Sequence, residues 1–512
     1  MAVERELKLR IAPEHMSRLR RHLLLKQLTT ARATTRKLYS VYYDTPHLDL
    51  HRKGMALRLR RIGRQWLQTL KGGGGIQAGL HQRNEWETPV SGQKLDTATL
   101  EACGAPHLPA SLRKKLQPLF VTDFTRTSYM VIYGGATIEL AMDSGRIVAE
   151  QATRPISELE LEIKAGEAQQ LFWLALALID IVPLEVEHMS KAEYGYAFYT
   201  ASPMEAIKAH SPLLARSQTI PAALCDMIGA CLLHLQANIP GVIGKFDKEY
   251  LHQVRVALRR LRVVLGMAEI FHADAELGLL HEQVAALCRE LGQLRDWDVF
   301  ATQTLAGVSA HLPEDAGLKE ILRISENLRE QHQGHVLDIL RSQDYQRFLL
   351  HFGAWLSGVH SRTPAGDSPT LSFFATQILQ RRSKQVAQCG KRLERLLSDK
   401  GRKGVKDGPH ELHRLRIACK KLRYSAEIFS SLYPDTKVRS YLSALALLQD
   451  ILGLLNDAAV ARRLLGELKV GTRQEATLLV RGWIEHGYSE RLVELHGAWE
   501  KFCHKREFWH ER

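Results

Sequence analysis

Glu4-Arg5-Glu6-Leu7-Lys8, within residues 3–11, decides how the N-terminal half of this chain folds. In a β-strand alternate side chains share a face, so Glu4, Glu6 and Lys8 point one way and Arg5, Leu7 and Leu9 the other. Two carboxylates and an ammonium cannot make a core face. They suit the wall of a wet cavity in which a divalent cation lies beside phosphate, because hard cations take carboxylate oxygens and phosphate takes Lys and Arg. A solvated edge strand of mixed charge is the competing reading of this segment taken alone.

Recurrence of the same parity favours the cavity. Arg58 and Arg60 share a face with Leu57 and Leu59 behind them; Arg83, Glu85 and Glu87 share one, as do Glu139 and Asp143. Glu158, Glu160 and Glu162 alternate with Leu159, Leu161 and Ile163, and Lys71 falls on the parity of Thr69. Strands with one apolar and one charged face predict a closed antiparallel barrel with a polar lumen. A lumen of carboxylates and guanidiniums implies a ligand that is polyanionic and metal-bound.

These residues, with Thr69-Leu70-Lys71, Arg126 and Ser190-Lys191, resemble the CYTH superfamily, the triphosphate tunnel metalloenzymes, over residues 1–200. The resemblance implies an α+β domain built on an eight-stranded antiparallel tunnel with flanking helices, cleaving inorganic triphosphate with Mg²⁺ or Mn²⁺. It implies that Lys8, Arg58, Arg60, Lys71, Arg126 and Lys191 bind the triphosphate. Metal would fall to Glu4, Glu6, Glu139, Asp143 and the strand of Glu158, Glu160 and Glu162. Spacing alone leaves open which two of those last three glutamates are ligands. Glu4, Glu6, Lys8 and Glu85 are the expected catalytic groups, because phosphoryl transfer is largely positioning and electrostatic stabilisation, with a glutamate taking the proton of the attacking water.

The chain has 512 residues, longer than a single core sustains, and a formal charge of +14. Residues 1–200 carry +6 and residues 201–512 carry +8, so both halves suit polyanions without naming one. No uninterrupted apolar run approaches the ~20 residues of a membrane span, and the charged start leaves no place for the apolar region of a secretory signal. Seven cysteines form no CxxC pair, which fits reduced thiols in a cytoplasm, and Cys419 is expected to be a small buried apolar group. The run Gly72 to Gly75 lacks a following GK[ST] and is expected to be a hairpin loop rather than a phosphate cradle.

Ser202-Pro203 and Ser211-Pro212 mark a linker over residues 201–218. Beyond it, apolar residues at three- and four-residue spacing predict long helices, with interhelical loops expected at residues 361–372 and at the basic stretch 398–409. An internal repeat lies here. His252-Gln-Val-Arg255-Val-Ala-Leu-Arg259-Arg260-Leu-Arg262 matches His413-Arg-Leu-Arg416-Ile-Ala-Cys-Lys420-Lys421-Leu-Arg423, offset by 161 residues, and Leu291-Gly292 matches Leu452-Gly453 at the same offset. Two copies of one helical bundle follow. At ~100° per residue His252, Arg255, Arg259 and Arg262 fall within about 80° of arc, opposite Val254, Leu258 and Leu261; His413, Arg416, Lys420 and Arg423 do likewise. Asp296 and Asp457 are expected to pair with these arginines or to cap helices.

Residues 219–505 resemble the CHAD domain, an all-α module, which implies binding of inorganic polyphosphate. His252, Arg255, Arg259, Arg260, Arg262, His413, Arg416, Lys420, Lys421 and Arg423 would line the groove. Lys420 and Lys421 stand where the first copy has arginines, and lysine binds phosphate without bidentate geometry. Two other classes remain open: an adenylyl cyclase or other nucleoside or thiamine triphosphate enzyme, and a non-catalytic polyphosphate binder. Base-stacking aromatics are not interleaved with the basic helices, which disfavours nucleic acid.

Overall fold

The computed structural model describes residues 2–77, 79–150, 152–200, 205–245, 247–271, 274–360, 369–398, 404–468 and 474–510. The chain divides into two compact units, residues 1–207, 232–250 and 341–362 in one and residues 208–231, 251–340 and 363–512 in the other.

The first unit is built on nine strands: β1 (Ala2–Ile11), β2 (Thr34–Asp44), β3 (Met55–Ile62), β4 (Gln65–Gln77), β5 (Leu80–Val90), β6 (Gln117–Tyr133), β7 (Ala136–Ala149), β8 (Ala152–Ala165) and β9 (Leu184–Val186). Their order is β5-β4-β3-β2-β6-β7-β8-β1-β9, and an added β5–β1 pairing closes the first eight into an antiparallel barrel. β1 closes it: Ala2 to Leu7 pair with β5, and Leu9 to Ile11 then take β9 along the same edge.

The barrel is inverted relative to one that stores its core inside. Leu7, Leu9, Leu140, Met142, Leu159 and Leu161 point outward and are fully buried against Leu171, Phe172, Ala175 and Leu178 of the helix Gln169–Ile179, and against Leu350 and Ala354 of the helix Gln343–His360. Burial of that outer surface, at about 25 cal/mol per Å² of apolar area, stabilises a wall whose inner face is free to be charged. The side chains of Gln343 and Gln346 accept the Leu184 and Val186 N–H groups and fix β9.

The glycine run departs from expectation. Gly72 to Gly75 lie within β4, where the pairing with β5 shifts register between Gly72 and Gly75. Gly73 and Gly74 have φ of +67° and +83°, and a Cβ on Gly74 would meet the Gln82 carbonyl oxygen at 2.0 Å. The run is a bulge that only glycine can form, not a hairpin loop.

Among its described residues the second unit is all-helical, and the repeat is visible in its elements. Lys248–Phe271, Ala275–Val299 and Ala316–Arg341 correspond at the 161-residue offset to Gly404–Ile428, Asp435–Glu467 and Gln474–Cys503. Val254, Leu258, Leu261, Leu415, Cys419 and Leu422 are all buried, as the helical phase requires. Of the expected loops, residues 361–368 and 399–403 lie outside the described residues, as do residues 201–204 of the linker. Residues 404–409 are helical rather than loop, with Pro409 inside the helix Gly404–Ile428. Asp296 and Asp457 lie inside helices, so neither caps one; Asp296 pairs with Arg463 at 3.3 Å.

Two helices, Ile220–Gly244 and Asp435–Glu467, are long and apolar enough by composition to cross a bilayer. Their apolar stretches are interrupted by polar residues, which is why no run stands out in the sequence, and they carry buried bundle residues such as Leu232, Leu448 and Leu452.

Candidate functional site

The inner face of the barrel encloses a cavity of about 290 Å³. Strand parity places the side chains. Glu4, Glu6 and Lys8 of β1 face it; Arg58 and Arg60 enter from β3, Lys71 from β4, Glu85 from β5, Arg126 from β6, Glu139 from β7, and Glu160 and Glu162 from β8. Lys191 enters at the start of the helix Lys191–Thr200, behind a reciprocal cap in which the Ser190 N–H donates to Glu193 at 2.6 Å and the Glu193 N–H to Ser190 Oγ at 3.2 Å. Asp143 and Glu158, directly opposed in register and on the parity of Glu139 and Glu160, are buried next to the residues that line the cavity.

Ion pairs organise the wall into two ends. At one, Asp143, Glu158 and Glu160 bring carboxylate oxygens within 4.8 Å of one another. Arg126 grips Asp143 with two bonds, of 2.8 and 2.6 Å, and also reaches Glu160. Lys191 reaches Asp143 at 2.7 Å, Glu160 at 3.0 Å and Glu158; Lys8 bridges Glu6, at 2.9 Å, and Glu160. The Phe124 ring lies beneath these cations, 5.0 Å from Lys191 Nζ and 5.7 and 6.0 Å from the Arg126 and Arg60 guanidiniums. At the other end Lys71 holds Glu4 and, at 3.3 Å, Glu85, which Arg58 approaches at 3.4 Å. Glu139 and Glu162 share Lys164, at 3.2 and 2.7 Å, away from the buried trio.

The charges hold one another in unusual states. Burial alone would raise the Glu6 carboxyl, but Lys8 and Lys71 hold it down at about 2. Burial would raise Glu160 too; Arg126, Lys191 and Lys8 keep it well below the carboxylate range. Glu158 moves the other way, to about 7, because burial, with Glu160 and Asp143 adding, exceeds the pull of the Lys191 it shares with them. Burial next to Arg58 presses the Arg60 guanidinium down to about 10.

The cavity thus gathers twelve of the residues expected from the sequence and backs them with Asp143 and Glu158. It adds Arg83, near Ser190 and Glu193 at 3.4 Å, and Glu87, which accepts the Thr69 hydroxyl at 2.8 Å. Both share the parity of Glu85, a signal present in the sequence. Tyr42, stacked on Phe120 at 4.6 Å, and Phe124 also line it. Among the described residues seven basic side chains and seven carboxylates line the cavity. A triphosphate therefore meets no net positive wall, and oxygen ligands at this density fit a hard divalent cation.

In the helical unit a groove of about 840 Å³ lies between the two basic helices. His252, Arg259, Arg260, Lys420 and Arg423 line it. Arg255 is buried and donates to the Leu291 carbonyl, His413 lies 3.0 Å from Asn456 Oδ1, and Arg262 and Lys421 are exposed outside the groove lining. Arg416 is half-buried; burial, with Arg259 adding, lowers its guanidinium, although Asp457 and Asp296 oppose this. Burial, reinforced by Arg259, Arg416 and Arg255, presses the Lys420 ammonium down to about 6.

Residues 2–196 match the family model of the CYTH domain and residues 226–466 that of the CHAD domain. An inorganic triphosphatase of Haemophilus influenzae is 35% identical over 207 residues, which is 38% of this chain and 55% of that protein, so the match spans about half of that protein's length. An uncharacterised Mycobacterium tuberculosis protein is 26% identical over 418 residues, 77% of this chain and 76% of its own. The crystal structure of the CHAD domain from the plant Ricinus communis is similar at 30% identity and a TM-score of 0.50, covering 59% of this chain and 98% of that one.

Proposed function

From the premise that this chain belongs to the CHAD family and carries a CYTH domain ahead of it, we propose that its tunnel hydrolyses inorganic triphosphate to diphosphate and phosphate, and that its helical groove binds inorganic polyphosphate. The observation that carries the first part is one cavity inside the barrel where Lys8, Arg126 and Lys191 converge on Glu160, with the buried Asp143 and Glu158 beside it. A cavity of about 290 Å³ lined mainly by charge suits a short phosphate chain better than a nucleoside.

Glu4, Glu6, Asp143, Glu158 and Glu160, with Glu139 and Glu162, would hold Mg²⁺ or Mn²⁺; Lys164 engages the last two as Lys191 engages the buried trio. When bound, such an ion supplies charge neutralisation along the phosphate chain and acidifies the attacking water. The chain's own residues do the rest. Arg58, Lys71 and Arg126 exchange carboxylate contacts, and Arg60 its bond to Ser40 Oγ, for phosphate oxygens and fix the chain in line for attack. Lys8 and Lys191, held charged by their carboxylates, stabilise negative charge on the departing diphosphate. Water oxygen bonds to the terminal phosphorus as the anhydride P–O bond breaks. Glu85, held only by contacts of 3.3 and 3.4 Å, is our assignment for taking the water proton.

A substrate panel of triphosphate, ATP, thiamine triphosphate and long polyphosphate with Mg²⁺ or Mn²⁺, read for phosphate and cyclic AMP, tests the reading. Triphosphate should be the best source of phosphate, and cyclic AMP from ATP would overturn it in favour of a cyclase.

A further inference from the structure

The groove of the helical unit contains a carboxylate that the repeat does not supply. Glu427 Oε1 accepts a bond from Arg423 Nε at 2.7 Å, and its Oε2 one from Arg260 Nη1 at 3.2 Å. The two arginines come from different copies of the repeat, so one carboxylate bridges both halves of the groove. Each guanidinium is also fixed by a neutral partner: Arg260 Nη2 donates to Ser211 Oγ at 2.8 Å, and Arg423 Nη1 to Gln449 Oε1 at 3.2 Å. At the 161-residue offset Glu427 corresponds to Gly266, where a Cβ would meet nothing closer than 3.9 Å. The first copy thus has space at this position and no acid.

We propose that Glu427 is a specificity-determining residue of the groove, a tethered competitor that holds the anion-recognising faces of Arg260 and Arg423 against small anions. The proposal rests on the reading of this groove as a polyphosphate site. A carboxylate fixed in the chain competes at an effective concentration of the order of millimolar or more. Orthophosphate or diphosphate, arriving from dilute solution, must displace it unaided. A long chain already held at Arg259 and Lys420 delivers its next phosphate at a comparable effective concentration and can displace it. The Glu427 side chain is 24% exposed and Arg260 is 7% exposed, so the displaced acid can turn to water while the guanidinium remains to receive phosphate. The groove therefore favours long chains over short ones.

The test is calorimetric titration of the full chain in EDTA with long-chain polyphosphate and, separately, with diphosphate, on wild type, Glu427→Gln and Asp435→Asn. Asp435 lies in the same groove but pairs with Arg439, so Asp435→Asn changes charge equally without freeing Arg260 or Arg423. Binding in the tunnel is common to all three proteins, and differences among them read the groove. Glu427→Gln should tighten diphosphate binding about tenfold, the scale of one hydrogen bond to a charged group, and long-chain binding by less. Glu427→Ala, the second variant should the first misfold, should give the same gain. An unchanged or weakened diphosphate affinity in the Glu427 variants, or an equal gain in Asp435→Asn, overturns the proposal. Wild type that binds no long-chain polyphosphate at low salt overturns instead the reading beneath it.

Discussion

Replacing Lys191 by Met tests whether the tunnel's acids form a metal site or a structural ion-pair cluster. Lys191 Nζ serves Asp143, Glu158 and Glu160 together and is almost fully buried. Met keeps most of the side-chain volume, so the loss is of charge. Removing one partner of a buried ion pair costs about 3–5 kcal/mol, because Glu158 loses the ammonium that pairs with it while Asp143 and Glu160 keep only Arg126 and Lys8. For a unit of this size that corresponds to roughly 2–4 °C per kcal/mol, so the melting transition of the first unit should fall by about 6–20 °C in EDTA. Mn²⁺ should then stabilise the variant more than wild type, since the ion takes over the neutralising role of the ammonium and contributes RT ln(1 + [Mn²⁺]/Kd). Differential scanning calorimetry of the full chain with and without Mn²⁺ checks both statements. Two results would refute the reasoning: an unaltered transition in EDTA, or equal stabilisation of both proteins by Mn²⁺. Triphosphatase activity should be lost whether or not Mn²⁺ restores stability, because phosphate also needs that ammonium.

Phosphate release from triphosphate should disappear in EDTA and in Glu4→Ala or Glu6→Ala, as followed by a phosphate assay; full activity of either variant removes β1 from the site. Arg58→Ala and Arg60→Ala should each weaken substrate use by about 1.5–3 kcal/mol in kcat/KM, the scale of bonds to charged groups, with little loss of stability. Leu57→Ala, on the opposite parity and fully buried, should instead destabilise by about 2–5 kcal/mol in denaturant melts. Lys420, pressed down to about 6, is mostly neutral at pH 8, and a polyanion restores its charge. Polyphosphate binding should therefore take up a proton and tighten as pH falls from 8 to 6, and Lys420→Met should remove the slope. Calorimetry in buffers of different ionisation enthalpy reads that uptake, and its absence would sink the assignment.

Strand parity made most of the tunnel legible, because a charged face opposite a leucine face has few alternatives: Glu4, Glu6 and Lys8, Arg58 and Arg60, and Glu158 and Glu160 all point where alternation puts them. Parity does not measure depth along a strand. It gave Glu162 the same standing as Glu160, although Lys164, two residues on, engages it with Glu139 away from the trio. Nor does it reveal partners distant in sequence. Arg255 lies on the basic arc of its helix, yet it is buried and gives one N–H to the Leu291 carbonyl, and Glu427 was invisible as a groove residue because charge alone suggests a solvated acid. The glycine run misled for a related reason, since a bulge inside a strand and a turn between strands both require positive φ.

The place of β1 in the barrel bears on how the protein is made. Its inner residues find partners far downstream, Lys8 reaching Glu160 across 152 residues. During synthesis β1 leaves the ribosome before both of its barrel partners, β5 and β8, and can close the barrel only after β8 has followed. Until then the edge that takes β8 is unpaired and the leucine face exposed, and the contacts that would hide them are among the slowest kind to form. Its alternating charges act in this interval as well, because Glu4, Glu6 and Lys8 spaced along the nascent strand discourage pairing with a second copy. The side chains proposed to hold metal and phosphate in the folded barrel thus also disfavour edge-to-edge pairing while it is incomplete.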